Sequence, residues 1–600
     1  MKNDLKNIVL RSSTVDLLAG IYSHISRRRR IQLLFLLFVM LASAVAELLS
    51  LGAVLPFLAA LSDIDRLWDK PQIQTISVLL GFTDSSQLVL LFTVLFVATA
   101  IISALIRMSN VWLNGRLAAA IGSDLSCEAY RRTLYQPYEI HLKRNSAEII
   151  TTTTNQISLT VSSFNSLLQL LTSSFVSVAL LLGLFLINFW IALFGATLFG
   201  FSYYFLTITT RGELRTNSYI ISEATTQQLK SLQEGLAAIR DVLLDESQEN
   251  YISIYRKSDR RHRLFQAKNA FLTIFPRYSF EALGMVAIAS LGGLLVAHEG
   301  SSVTVIPLLG SLALGAQRLL PALQQVYNGW ASLKGCNAAI QGVLTILNQD
   351  LPQSINYVEA SSFTHRISFK GVYFRYADDE EDVLKALDLD VCKGESIGLI
   401  GSTGSGKSTT LDLLMGLLKP HRGQILIDGK DLYDQNFPGR LSSWRANIAH
   451  VPQSIYLSDS SIAENIAFGL PYHDIDYARV RAVAAQAQIS SFIESIPGGY
   501  ESLVGERGIR LSGGQRQRIG IARALYKRAS VLIFDEATSA LDSDTEFEVM
   551  RSIDNLDKEL TIFMIAHRLT TVQSCDRVIV LSDGRIVDDG TPQQVISKYS

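Results

Sequence analysis

Eight consecutive residues set the chemistry this chain can do. Gly401-Ser402-Thr403-Gly404-Ser405-Gly406-Lys407-Ser408 has the G-x-x-x-x-G-K-[ST] spacing of a loop that cradles phosphate. Glycines let backbone N–H groups turn toward an anion, and a helix starting just beyond them, through Ser408 and Thr409, adds positive potential. Lys407 is placed to reach the β- and γ-phosphates of a nucleotide, and Ser408 to ligate Mg²⁺. The apolar run Ile397 to Ile400 just before the loop reads as a buried strand, which is the context such a loop requires. A second apolar strand, Val531 to Phe534, ends in Asp535 and Glu536, about 130 residues further on. Asp535 is placed to hold Mg²⁺ through water, and Glu536 to polarise the attacking water as general base. On its own an acidic pair at a strand end is more often structural. Downstream of a phosphate loop it points to catalysis.

Leu511-Ser512-Gly513-Gly514-Gln515 resembles the signature motif of ABC ATPases. In that family the signature opens a helix and binds the γ-phosphate held by the opposite subunit. A hydroxyl, two flexible backbone N–H groups and a helix dipole suit that task. The resemblance continues in order along the domain. Tyr376 matches the aromatic that stacks on adenine, although Ala377 follows where proline is frequent. Gln453 matches the Q-loop glutamine that contacts Mg²⁺ and senses the membrane domain. Ser539-Ala-Leu-Asp542 matches the D-loop, and His567 the switch histidine on the γ-phosphate. Val504-Gly-Glu506-Arg-Gly508 resembles the extra loop of ABC exporters. With glutamate at 536 and histidine at 567, the resemblance implies a competent ATPase using ATP and Mg²⁺. Each family site joins a phosphate loop from one subunit to a signature from another, and the chain holds one of each. A homodimer with two composite sites is the simplest arrangement.

These residues need a soluble α/β domain to hold them, and the sequence from Asp350 onward is charged at ordinary density. The region ahead of it differs. Ile149 to Thr210 carries no Asp, Glu, Lys or Arg, which pulls the whole-chain charged fraction down to 18%, below the roughly 25% of soluble domains. Apolar runs long enough to cross a bilayer, about 20 residues, fall near 31–61, 88–106, 160–187, 189–210, 278–297 and 303–325. Arginines cluster before the first span (Arg27 to Arg30), after the second (Arg107, Arg116, Arg131, Arg132) and before the fifth (Arg256, Arg260, Arg261, Arg263). Acidic residues dominate after the first. That bias places both termini and the two long loops, about 107–158 and 211–277, in the cytoplasm of an inner (plasma) membrane protein. Leu113, Leu117, Ile121 and Leu125 recur every fourth residue, so the loops read as helices that continue the spans. The expected fold is an α-helical six-span transmembrane domain (1–330), a linker (331–365) and an α/β P-loop ABC ATPase domain (366–600). The resemblance implies a short transverse coupling helix in each loop, near Pro137-Tyr138-Glu139 and near Gln227 to Gln233. Basic and acidic residues balance, 54 against 55, so nothing suggests nucleic acid. Four scattered cysteines without a C-x-x-C pair suggest neither a disulfide scaffold nor zinc.

The cargo must be read from the membrane half. Arg277 opens the fifth span and Arg318 lies within the sixth. Ionisable groups there are costly and by default functional, and a guanidinium fork pairs well with phosphate. Each could equally extend to the cytoplasmic interface or pair with Glu281. The outer segment 62–87 holds the mostly apolar stretch Ile73 to Phe82, either an interfacial helix or a packed loop. That segment, with the Gln136-Pro-Tyr138 and Pro276-Arg277-Tyr278 runs, resembles the lipid-linked oligosaccharide flippase branch of ABC exporters. The expected function is ATP-driven export of a lipid-linked, pyrophosphate-bearing oligosaccharide. The alternative cargo is a simple lipid or hydrophobic drug.

Overall fold

The computed structural model describes residues 13–599 except 188, 300–301, 352–362, 435, 438, 566–571, most of 63–83 and most of 537–558. It divides into a helical unit (residues 13–135 and 144–350) and a second unit (136–143 and from 351 on).

Among the described residues the helical unit holds six long helices: Arg27–Ser62, Ser85–Leu134, Ile157–Ile187, Phe189–Ala237, Gln248–Glu299 and Ser302–Gly335. Among the described residues, four helices are long and apolar enough to cross a membrane. The expected loops are the continuations of these helices. Ser85–Leu134 runs unbroken past its apolar half because no proline or capping signal stops it, and its stripe turns inward: Leu117, Ile121 and Leu125 are buried against Phe164 and Ile340. The chain enters the third long helix through a π-helical turn, Thr152–Gln156. There the hydroxyls of Thr152, Thr153 and Thr154 donate to the carbonyls four residues back, at 2.8, 2.9 and 2.7 Å, competing with the backbone ladder.

The structure moves one short helix. Gln227 to Gln233 has no helix breaker and lies inside the helix Phe189–Ala237. The short element is Ile239–Leu244, set off by non-helical Ala238 before it and by Asp245 and left-handed Glu246 (φ 49°) after it. The expected linker 331–365 starts inside the sixth long helix and contains a further helix, Asn337–Leu347, whose Ile340, Val343 and Leu347 are fully buried in the helical unit. That helix is tied to the N-terminal helix Thr14–His24 by hydrogen bonds between Asn337 and Thr14 at 3.2 Å. The stretch Ile73 to Phe82, apart from Ile73, lies outside the described residues.

In the second unit, β1 (Arg366–Phe374), β2 (Leu384–Cys392), β4 (Arg422–Ile427) and β5 (Lys430–Asp431) form an antiparallel sheet in the order β2-β1-β4-β5. The larger sheet has the order β10-β9-β3-β8-β7-β6, with β3 (Ser396–Ile400), β6 (Ile448–Val451), β7 (Val531–Asp535), β8 (Thr561–Ile565) and β9 (Arg577–Ser582) parallel. β10 (Arg585–Gly590) closes its edge antiparallel. The apolar runs read from sequence are these parallel strands, buried on both faces as such strands must be. The short helix Tyr138–Lys143 packs with this unit, where Glu139 accepts from the Lys419 N–H at 3.3 Å.

Candidate functional site

β3 runs buried into the phosphate loop, and two glycines there are irreplaceable by geometry. Gly401 (φ 151°) would place a Cβ 2.2 Å from the Leu581 carbonyl. Gly406 (φ 101°) would place one 2.6 Å from Leu384 Cδ2. Gly406 is the N-cap of the helix Lys407–Leu414, so that helix aims its unsatisfied N–H groups into the loop. Lys407 is buried, and its ammonium donates to the Gly401 and Ser402 carbonyls, both at 2.9 Å. Burial pulls its pKa down, while Glu536 and Asp535 hold it up. Ser402, Thr403, Gly404 and Ser408 are exposed. The Tyr376 hydroxyl meets Thr409 Oγ1 at 3.0 Å, and its ring stands edge-on to Phe374. Tyr376 thus touches the phosphate-loop helix and keeps an exposed face for a base.

β7 ends on Asp535, and Glu536 follows in the left-handed region at φ 50°. For a non-glycine residue that conformation is uncommon and clusters at functional sites. It is held by the Glu536 N–H donating to the Ile565 carbonyl at 3.2 Å. Gln453 Nε2 donates to Glu536 Oε2 at 2.5 Å, so the two residues drawn from separate motifs meet. Ser408 and Asp535, with the amide oxygen of Gln453, are hard oxygen donors of the kind Mg²⁺ takes. The structure therefore joins phosphate loop, Gln453, Asp535 and Glu536 in one place. Asp542 and His567 lie outside the described residues.

The signature is built as a helix start. Ser512 caps Gly513–Tyr526: its Oγ accepts from the Gln515 N–H at 3.2 Å, and its own N–H donates to Gln515 Oε1 at 2.8 Å. Arg516 braces the approach by donating to the Gly508 and Leu511 carbonyls. Sequence reasoning missed Asp412, on the phosphate-loop helix, whose pKa rises to about 6 through burial and then through Asp535. A carboxylate four residues after Ser408 is on its face of the helix, and that spacing was the available signal.

In the helical unit Arg318 lines a polar cavity of about 350 Å³ with Glu47, Arg107, Asn110, Gln169 and Gln317. Glu47, not Glu281, is its partner, at 3.5 Å. Arg277 is exposed on the fifth long helix and does not line this cavity, so the two arginines are not brought together. A second cavity of about 390 Å³, lined by Phe199, Tyr203, Leu319, Leu323, Tyr327 and Trp330, is almost wholly apolar.

A family profile described as ABC transporter matches residues 384–539. The ATP-dependent lipid A-core flippase of Chromohalobacter salexigens is 42% identical over 233 residues, which is 39% of each chain. The ATP-dependent lipid A-core flippase of Thiobacillus denitrificans is 28% identical over 85% of this chain and 86% of its own. The matched length is thus two fifths of one relative and most of the other. A solved bacterial Atm1-family ABC exporter with ATP bound superposes with a TM-score of 0.77 over 96% of both chains, at 24% identity. That agreement shows that the chain shares that protein's fold over 96% of its length. The second unit holds the stretch that the ABC transporter profile matches, and the chain joins it to a helical unit.

Proposed function

We propose that this ABC ATPase powers the outward flipping of an amphiphile with an anionic, sugar-bearing head, of the lipid-linked oligosaccharide type, and that two copies form the working transporter. The observation that carries the cargo reading is the sixth long helix, Ser302–Gly335. One of its faces (Gln317, Arg318, Pro321, Gln325) walls the polar cavity, and another (Leu319, Leu323, Tyr327, Trp330) walls the apolar one. A molecule with a polar head and a hydrocarbon tail is matched by such a helix. A uniformly hydrophobic drug would gain nothing from the guanidiniums of Arg107 and Arg318, which an anionic head can engage. The relatives' names assign them to a lipid flippase activity, which supports a lipid cargo here.

In this reading six spans cross the inner membrane with both termini cytoplasmic. ATP lies between the phosphate loop of one copy and Ser512, Gly513 and Gly514 of the other. Tyr376 stacks on adenine, Lys407 meets the terminal phosphates, and Ser408, Gln453 and Asp535 hold Mg²⁺. The bound ion neutralises charge developing on the phosphates. Glu536, positioned by Gln453, takes the proton from the attacking water, and Asp542 and His567 complete the site. Nucleotide-driven closure of two ATPase domains then moves the cytoplasmic helices.

Flipping in proteoliposomes separates the cargo classes. A pyrophosphate-linked glycolipid should be flipped in an ATP-dependent manner that Arg318→Gln slows about tenfold. Transport of a lipophilic dye, with no glycolipid flipping and no effect of Arg318→Gln, would replace this reading with drug export.

A further inference from the structure

The first long helix buries a carboxylate whose role the cargo reading leaves open. Glu47 is 5% exposed, and an ion so placed persists only if it is paired and hydrogen-bonded. Ser103 Oγ donates to its Oε2 at 2.8 Å. Arg107 Nη1 approaches Oε1 and Oε2 at 3.4 and 3.5 Å. Arg318 Nη1 stands 3.5 Å from Oε1 and donates to Ser50 Oγ at 3.1 Å. Both guanidinium contacts are long beside the roughly 2.7–2.9 Å of a well-made charge-assisted bond. Each guanidinium carries five N–H donors, and the contacts above use one nitrogen of each.

The same three charged groups are the ones lining the polar cavity, among amides and hydroxyls. Two cations against one anion leave the lining with a charge of +1. The two arginines come from two other helices, 60 and 271 residues from Glu47 in sequence. The cavity therefore selects anions and contains a competitor for them.

We propose that Glu47 is the resident counter-ion of the cargo cavity, holding Arg107 and Arg318 until a phosphate or pyrophosphate head takes those guanidiniums from it. This rests on the cargo reading above. Glu47 keeps the arginines oriented and solvated by charge, and by competing with the head it keeps affinity moderate, so that cargo can leave. A ligand with a denser charge than a carboxylate exchanges with it; a neutral head gains nothing by displacing it.

The test is equilibrium binding of geranylgeranyl pyrophosphate to the full-length protein in nanodiscs, with geranylgeraniol as the neutral control. Glu47→Gln preserves shape and raises the lining from +1 to +2. It should tighten pyrophosphate binding roughly five- to tenfold, the effect of one unit charge a few ångströms away in a partly hydrated site, and leave the alcohol unchanged. Arg107→Gln should weaken pyrophosphate binding similarly, and the double variant, back at +1, should return near the wild-type affinity. Because the double variant restores the charge balance, it reads the proposal even if a single one is poorly stable. Wild-type binding of the pyrophosphate that Glu47→Gln weakens or leaves unchanged makes Glu47 a structural anchor or a direct ligand and overturns the inference alone. Equal binding of alcohol and pyrophosphate by the wild type removes the cargo reading, and the inference with it.

Discussion

Lys407 and Arg318 are both cations taken out of water, yet they are satisfied in opposite ways. Lys407 donates to carbonyls five and six residues back along its own loop. Arg318 reaches Ser50 and Glu47, 268 and 271 residues away. A site made of backbone needs a short stretch of chain with the right glycines, so its chemistry is written contiguously. A site made of side chains from separate helices exists only once those helices are packed. The nucleotide site should therefore fail through single local changes with large effects, and the cavity through coupled, smaller ones.

The largest effect should come at Glu536. Removing a general base costs about 10²–10⁴ in rate, so Glu536→Gln should lose that much phosphate release while still retaining ATP on a filter. A variant that hydrolyses ATP normally removes Glu536 from the role. Next is the loop itself. Gly401→Ala forces a Cβ against the Leu581 carbonyl, which belongs to a buried strand and cannot move aside cheaply. ATP affinity should fall more than tenfold in a titration with a fluorescent nucleotide. Wild-type affinity would show that the loop is less constrained by backbone than its geometry requires. The contrast sharpens at Arg318→Gln, expected to weaken glycolipid-stimulated ATPase about tenfold while the KM for ATP shifts less than twofold. A joint loss of both would mean that the two regions are not separable.

How much could be read beforehand follows the same division. The phosphate loop, Gln453, the Asp535-Glu536 pair and the Ser512 cap were legible because each is a short motif whose backbone geometry its own residues impose. The long helices were legible from uncharged length and from the Leu117-Ile121-Leu125 stripe. Illegible was the partner of Arg318. Glu281 is near in sequence, but the sixth long helix packs its Arg318 face toward the first, and only tertiary packing chooses Glu47. The short helix Ile239–Leu244 lies about ten residues beyond the expected one because the nearby glycine, Gly235, stays inside the helix that runs to Ala237, and the break is set by Ala238 and Glu246. The helix Asn337–Leu347 is not legible as part of the helical unit because eleven mostly apolar residues look like any short apolar run until the faces they cover are known.

The smallest predicted effect tests whether the ATPase unit contains charge-sensitive burial outside its motifs. His450 lies on β6 and lines a cavity of about 680 Å³ with Arg445, Arg523 and Lys527. Its Nε2 is buried without a hydrogen-bond partner among the described residues, and burial lowers its pKa to about 4. A histidine that is harder to protonate when folded binds more protons unfolded, so its contribution is intact above pH 6.5 and is lost as pH falls toward 4. Between pH 7 and 5.5 this amounts to about 1 kcal/mol. His450→Gln should flatten that part of the pH dependence of thermal unfolding without moving the phosphate-loop residues. An unchanged slope would mean that the cavity admits enough water to protonate the ring in the folded state.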